Sequence, residues 1–127
     1  MSFGYLLDTH VLLWWLDDPA RLSADAQSVI ADGTNMVYFS AGAAWEMGIK
    51  KGLGRLSFPG NLDEVLRGEH IEVLPIKLPH ALAVADLPAH HHDPFDRIQI
   101  VQARLEDLVL VTRDAEIPKY DVKVLIA

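Results

Sequence analysis

Five acidic side chains stand where a carboxylate asks for a partner. Asp8 closes the apolar run Tyr5-Leu6-Leu7, Glu46 lies between Trp45 and Met47, Asp93 and Asp96 bracket Pro94-Phe95, and Asp114 follows Val109-Leu110-Val111-Thr112-Arg113. A charged carboxylate beside buried apolar chain loses hydration it must recover elsewhere. Several in one pocket raise one another's pKa values unless a counter-ion is present, and a divalent cation is such a counter-ion. Mg2+ and Mn2+ favour oxygen ligands and keep several waters. A site of that kind acidifies a water and stabilises the charge on a phosphodiester under attack. The chain has no cysteine and no His-Glu-x-x-His pair, which argues against a zinc peptidase.

Each acid also has a structural reading. Asp93 precedes a proline at a helix start, a favoured N-cap position. Asp96 would complement the dipole of the same helix, and Asp114 can cap a turn. Asp8 and Glu46 are harder to explain without a partner. His90, His91 and His92 read as a solvated loop, because adjacent residues rarely ligate one ion together. Trp14 and Trp15 cannot both face the core from one helix, so one is expected buried and the other at a partner surface. Lys50, Lys51 and Arg55 form a local basic patch on the helix of Glu46.

The acids matter only if the fold gathers them. Short apolar or β-branched runs alternate with helical patterns. Strands are expected over Tyr5–Leu7, Met36–Phe39, Ile71–Leu74, Leu108–Val111 and Val122–Ile126. Helices are expected over Val11–Leu16, from the Ser23 cap to Ala31, over Ala43–Lys51 with Gly52 and Gly54 as the stop, and over Leu62–Arg67, Pro79–Ala85 and Pro94–Leu105. This alternation predicts an α/β fold with a central parallel sheet of about five strands and helices on both faces. Right-handed crossovers align the carboxyl ends of the strands on one edge, where such sheets bind ligands. Asp8 and Asp114 would meet there despite their separation in sequence.

With 127 residues, half of them hydrophobic and 23% charged, the chain has the size and composition of one globular domain. The absence of cysteine suits a reducing cytoplasm, the first residues lack a signal-peptide pattern, and no apolar run approaches the roughly 20 residues that span a bilayer. The net charge of −7 opposes nucleic-acid binding by the surface as a whole. The objection weakens if five of the 18 acids belong to a cation site, leaving RNA contact to a few local bases.

Leu6-Leu7-Asp8-Thr9-His10, Ser40 through Trp45-Glu46, His92-Asp93-Pro94-Phe95-Asp96-Arg97 and Val111-Thr112-Arg113-Asp114 together resemble the PIN-domain family, and within it the VapC-like toxins of bacterial toxin–antitoxin pairs. The four motifs keep the family's order and span nearly the whole chain. The resemblance implies a PIN fold and Mg2+- or Mn2+-dependent endoribonuclease activity. It places Asp8, Glu46, Asp96 and Asp114 in the acidic quartet and adds Asp93 as a further ligand of the Asp-Pro-Phe-Asp subgroup. Thr9 and Thr112 fall on supporting hydroxyl positions, and Arg97 and Arg113 on basic positions near the cleft; Lys50, from the basic patch on the helix of Glu46, is a further candidate substrate contact. The family often carries Asn where His10 stands. The resemblance further implies a homodimer and an antitoxin whose tail enters the acidic groove. Asp8, Asp96 and Asp114 would hold one or two ions, with Glu46 completing the shell or orienting the attacking water. The rival readings are a PIN scaffold without catalysis and a phosphohydrolase or receiver-like domain. The latter lacks the second Asp of an Asp-x-Asp motif after Asp8 and the adjacent acids of a receiver.

Overall fold

A computed structural model describes residues 4–91 and 93–127. Five strands, β1 (Gly4–Leu7), β2 (Met36–Ser40), β3 (Ile71–Leu74), β4 (Val109–Thr112) and β5 (Val124–Ile126), form one sheet in the order β3-β2-β1-β4-β5. Every pairing is parallel. The connecting helices are α1 (Thr9–Asp17), α2 (Ala24–Ala31), α3 (Ala41–Gly52), α4 (Leu62–Gly68), α5 (Leu78–Ala83) and α6 (Pro94–Leu105). The chain steps outward from β1 to β3 on one side, then crosses back to lay β4 against the other side of β1. Strand order therefore reverses between β1 and β4, and a crevice opens beyond their carboxyl ends.

The strands read as apolar runs because both faces of the sheet are covered. Leu6 and Leu7 are each 0% exposed and point to opposite faces, as the pleat requires. Leu7 and Val111 join Leu12, Phe39, Ala43 and Met47 in one core, beneath the helices between β1 and β3. Leu6 and Leu110 join Ile100, Val101, Ile117 and Tyr120 in the other, beneath α6. Burying a leucine contributes roughly 1.5–3 kcal/mol, so β1 is anchored from both sides just before Asp8. Gly42 lets α3 approach α6, because a Cβ there would lie 2.9 Å from Ile98 Cγ2. Gly54, at φ +71°, closes the turn after α3.

The sequence-derived elements are all present, with shifted ends. α1 begins at Thr9 rather than Val11 because Asp8 caps it. β4 starts at Val109 because Asp107 adopts a left-handed conformation, φ 54°, and Leu108 N–H still bonds back to Ala103 O. α5 ends at Ala83 and continues as a 3-10 turn over Val84–Asp86. Two further 3-10 turns, Pro19–Arg21 and Ile117–Lys119, have no counterpart in the sequence reading. Among the described residues no helix is long and apolar enough to cross a membrane.

Candidate metal-binding active site

A cavity of about 420 Å³ opens at the carboxyl edge of the sheet, and Asp8, Glu46, Asp93, Asp96 and Asp114 all line it. A larger recess, about 510 Å³, lies against α4 and β3 beside Arg67 and Glu72, away from these acids. Backbone amides and hydroxyls hold Asp8, Glu46, Asp93 and Asp114 at the strand-edge cavity, whereas Asp96 meets the His91 ring. Asp8 extends β1, its N–H bonding Val111 O at 3.0 Å. One of its carboxylate oxygens accepts from Thr9 N–H at 2.7 Å and the other from Thr112 Oγ1 at 2.7 Å. Thr112 Oγ1 in turn accepts from Asp114 N–H at 3.1 Å. A single buried hydroxyl thus ties the end of β1 to the turn after β4.

Glu46 comes from the middle of α3, a helix fixed at its start by Ser40, whose Oγ accepts from Gly42 N–H at 3.0 Å. Its Oε1 accepts from the buried Thr9 hydroxyl at 3.0 Å, and its Oε2 lies 3.4 Å from Lys50 Nζ, one turn along the helix. Thr9 and Thr112 therefore both orient acids, Glu46 and Asp8 respectively.

Asp93 is the N-cap of α6, with Oδ1 accepting from Phe95 N–H at 2.8 Å and from Asp96 N–H at 3.4 Å. The structural reading of Asp93 is realised, and its carboxylate still borders the cavity. Asp96 lies in the first turn of the same helix. Burial, reinforced by the charges of Asp8, Asp93 and Asp114, pushes its carboxyl up to about 7, against the opposing influence of His91. Burial would raise Asp114 too, but the Glu116 N–H and the His91 ring outweigh it and hold that carboxyl below the usual range. The two acids are driven apart, which leaves one proton near neutrality in a site built of carboxylates.

His91 is the residue that sequence reasoning missed. Instead of standing in solvent, it places Nε2 2.9 Å from Asp114 Oδ2 and 3.0 Å from Asp96 Oδ2. Burial disfavours the charged ring, but the bond to Asp114 and the charges of Asp96, Asp114 and Asp93 prevail and raise its pKa. The reading treated three histidines as one unit. The run of three carries no signal for which ring turns toward the acids. His90 stacks edge-on against Tyr120 at 5.1 Å, and His92 lies outside the described residues.

The basic residues divide. Lys50 and Arg113 line the cavity, but Arg113 Nε donates to Ala127 O at 2.9 Å and its guanidinium also donates to Arg21 O. Arg97 departs from expectation. Its guanidinium donates to the carbonyls of Pro88, His91, Val84 and Leu87, at 2.9, 3.1, 3.0 and 3.2 Å, so it fastens the loop before α6, and it is not among the residues lining the cavity. Lys51 leaves the expected patch to donate to Phe58 O. Neither Trp14 nor Trp15 is fully buried. Trp14 lines the cavity beneath Arg113, 4.4 Å from its ring centroid, with the exposed His10 ring 5.8 Å away. Trp15 Nε1 donates to Glu69 at 3.2 Å.

The donor set fits a hard divalent cation: five carboxylates share one cavity, and burial together with the neighbouring charges raises the Asp96 carboxyl to about 7. The ligand atoms of His91, Asp96 and Asp114 lie within 4.8 Å of one another.

The family model of the PIN domain matches residues 5–123. A search of curated proteins finds no match. Among solved structures, the chain is similar to VapBC2 from Rickettsia felis bound to a promoter DNA fragment, with 14% identity, a TM-score of 0.72 and coverage of 97% of this chain and 98% of that one. It is similar to a toxin–antitoxin complex from Klebsiella pneumoniae, with 19% identity, a TM-score of 0.62 and 96% of each chain covered. FitAcB from Neisseria gonorrhoeae aligns with 25% identity, a TM-score of 0.64 and 96% of each chain covered.

Proposed function

The chain belongs to the PIN-domain family, and from that premise we propose that it is a Mg2+- or Mn2+-dependent endoribonuclease, the toxin of a toxin–antitoxin pair. The observation that carries the reading is the convergence of Asp8, Glu46, Asp93, Asp96 and Asp114 on one cavity at the β1/β4 switch point.

In this reading Asp8, Asp96 and Asp114 would hold the cation, with Asp93 and Glu46 lining the same cavity. When bound, the cation supplies an acidified water and charge stabilisation at phosphorus. The protein's own part is positioning. Thr112 and Thr9 N–H fix both oxygens of Asp8. Glu46, held by Thr9 and Lys50, orients the attacking water toward the phosphodiester. Asp96, with its carboxyl near 7 in the cation-free cavity, would give up its proton as the cation binds. Lys50 and Arg113 supply positive charge beside the acids for the RNA backbone.

An antitoxin is the proposed protein partner, with a basic segment suited to the acidic cavity, and a homodimer is the proposed assembly. Support for protein partners comes from α3 and its C-cap, where Trp45, Ile49 and Leu53 recur at four-residue spacing and are all exposed.

The test is cleavage of a mixed RNA pool by antitoxin-free protein with Mg2+ or Mn2+, with EDTA, and beside Asp8→Asn. Metal-dependent cleavage that vanishes in the variant is expected. Full cleavage by Asp8→Asn overturns the mechanism. No cleavage with the cation still bound favours the PIN scaffold without catalysis.

A further inference from the structure

The ring of His91 stands where two carboxylates converge, at 2.9 Å from Asp114 Oδ2 and 3.0 Å from Asp96 Oδ2. Its other nitrogen, Nδ1, faces a donor, the backbone N–H of Asp93 at 3.2 Å. Nδ1 is therefore an acceptor, and the proton of the neutral ring resides on Nε2. A histidine that ligates a metal has the reverse arrangement. It turns a lone pair to the ion and gives its other N–H to an acceptor. His91 instead presents an N–H to both carboxylates, as a cation would present positive charge. The surrounding chain keeps it there. His91 N–H donates to Tyr120 Oη at 2.7 Å, and His91 O accepts from Arg97 at 3.1 Å. With the backbone held on both sides, only the side chain is free to rotate away.

We propose that His91 is an internal stand-in for the cation, bridging Asp96 and Asp114 through its Nε2–H, and that a divalent ion gains these oxygens only as the ring swings out. The inference rests on the metal-dependent reading above. It makes His91 a positioning residue: it keeps the two carboxylates at ligand spacing and lowers cation affinity by competing for the same atoms.

The test is Mn2+ and Mg2+ titration calorimetry of the full chain as wild type, His91→Ala and His91→Gln. Removing the competing donor is expected to tighten binding about tenfold in His91→Ala, the ratio that a lost charge-assisted hydrogen bond corresponds to. His91→Gln retains a side-chain N–H and is expected to stay near wild type. Electron spin echo of bound Mn2+ is expected to show no histidine nitrogen coupling. Nitrogen NMR is expected to find the Nε2–H tautomer in the metal-free protein, with the ring signals moving at saturating Mg2+. Weaker binding by His91→Ala, together with a wild-type nitrogen coupling that the variant lacks, overturns the proposal and makes His91 a ligand. Equal affinity in wild type and His91→Ala overturns it as well. If His91→Ala fails to fold, ring signals unmoved by Mg2+ in the wild type still refute displacement. Failure of every form to bind either ion refutes the metal-dependent reading itself, an outcome distinct from the others.

Discussion

Thr112 Oγ1 donates to Asp8 Oδ2 at 2.7 Å and accepts from Asp114 N–H at 3.1 Å, so one hydroxyl joins two acids 106 positions apart across the β1/β4 crevice. Thr112 is fully buried, so the linking hydroxyl itself is shielded from water, while Asp8 and Asp114 line the cavity. Thr112→Val keeps the shape and leaves a carboxylate oxygen and an N–H unsatisfied, an expected loss of about 1–3 kcal/mol in denaturant unfolding. RNA cleavage is expected to fall at least about tenfold as Asp8 loses its orientation. Thr112→Ser is expected to recover most of both. Equal stability of Val and wild type would show that the hydroxyl link carries no weight.

Asp96 determines how cation binding depends on pH. Its folded pKa of about 7 lies above the unfolded carboxylate value near 3.9. The folded protein therefore holds a proton that the unfolded chain has lost. This group's contribution to stability is complete below the unfolded value and fades as pH rises through 7. A cation needs the ionised form, so its affinity is expected to rise as pH rises through 7, in a cavity where Asp8, Asp93, Asp114 and His91 act on the same group. Calorimetry in buffers of different ionisation enthalpy should detect proton release on Mg2+ binding near pH 6 and little near pH 8.5. Affinity independent of pH across that span would contradict the assignment.

Gln102 and Ser40 form a buried pair that positions α3. Both are 0% exposed, and Ser40 Oγ donates to Gln102 Oε1 at 2.5 Å while accepting from Gly42 N–H. Gln102 Nε2 also donates to Pro75 O at 3.2 Å. Gln102→Leu removes these partners at once. The expected cost is about 1–3 kcal/mol, read as a lower urea midpoint at unchanged slope. Since Ser40 caps the helix of Glu46, cleavage is expected to fall too. An unchanged midpoint would mean the pair is dispensable.

The fold was legible because its signals are local. Tyr5-Leu6-Leu7 and Val109-Leu110-Val111 are short apolar runs sandwiched between two cores, and Ser23 and Asp93 are caps that read as caps. Asp8, Asp93, Asp96 and Asp114 were legible because they stand at strand or helix ends, which the parallel topology brings to one edge, and Glu46, in the middle of α3, through its apolar neighbours Trp45 and Met47. Direction of a side chain was not legible. Nothing in the spacing of His90, His91 and His92 shows which ring turns toward Asp96 and Asp114. Nor does the Arg97 position reveal that its guanidinium faces a ring of carbonyls rather than the cleft. The left-handed turn at Asp107, which delays β4 to Val109, follows from how α6 ends rather than from any strong turn residue.

Arg97 offers the sharpest contrast between the two readings of a basic residue. If it fastens the loop, its planar fork is the necessary feature, since it reaches Pro88, His91, Val84 and Leu87 carbonyls at once. Lysine keeps the charge but offers one compact ammonium that cannot span them. Arg97→Lys is therefore expected to lose about 1–3 kcal/mol of stability and to speed hydrogen exchange over residues 84–91. Cleavage should decline together with the loosening of His91, whose carbonyl is one of the four. A substrate contact predicts the opposite pattern: exchange unchanged, stability unchanged, and RNA affinity lowered with a shallower salt dependence. Measuring exchange and salt dependence on the same variant decides between them, because only the loop fastening leaves a trace in the protein without RNA.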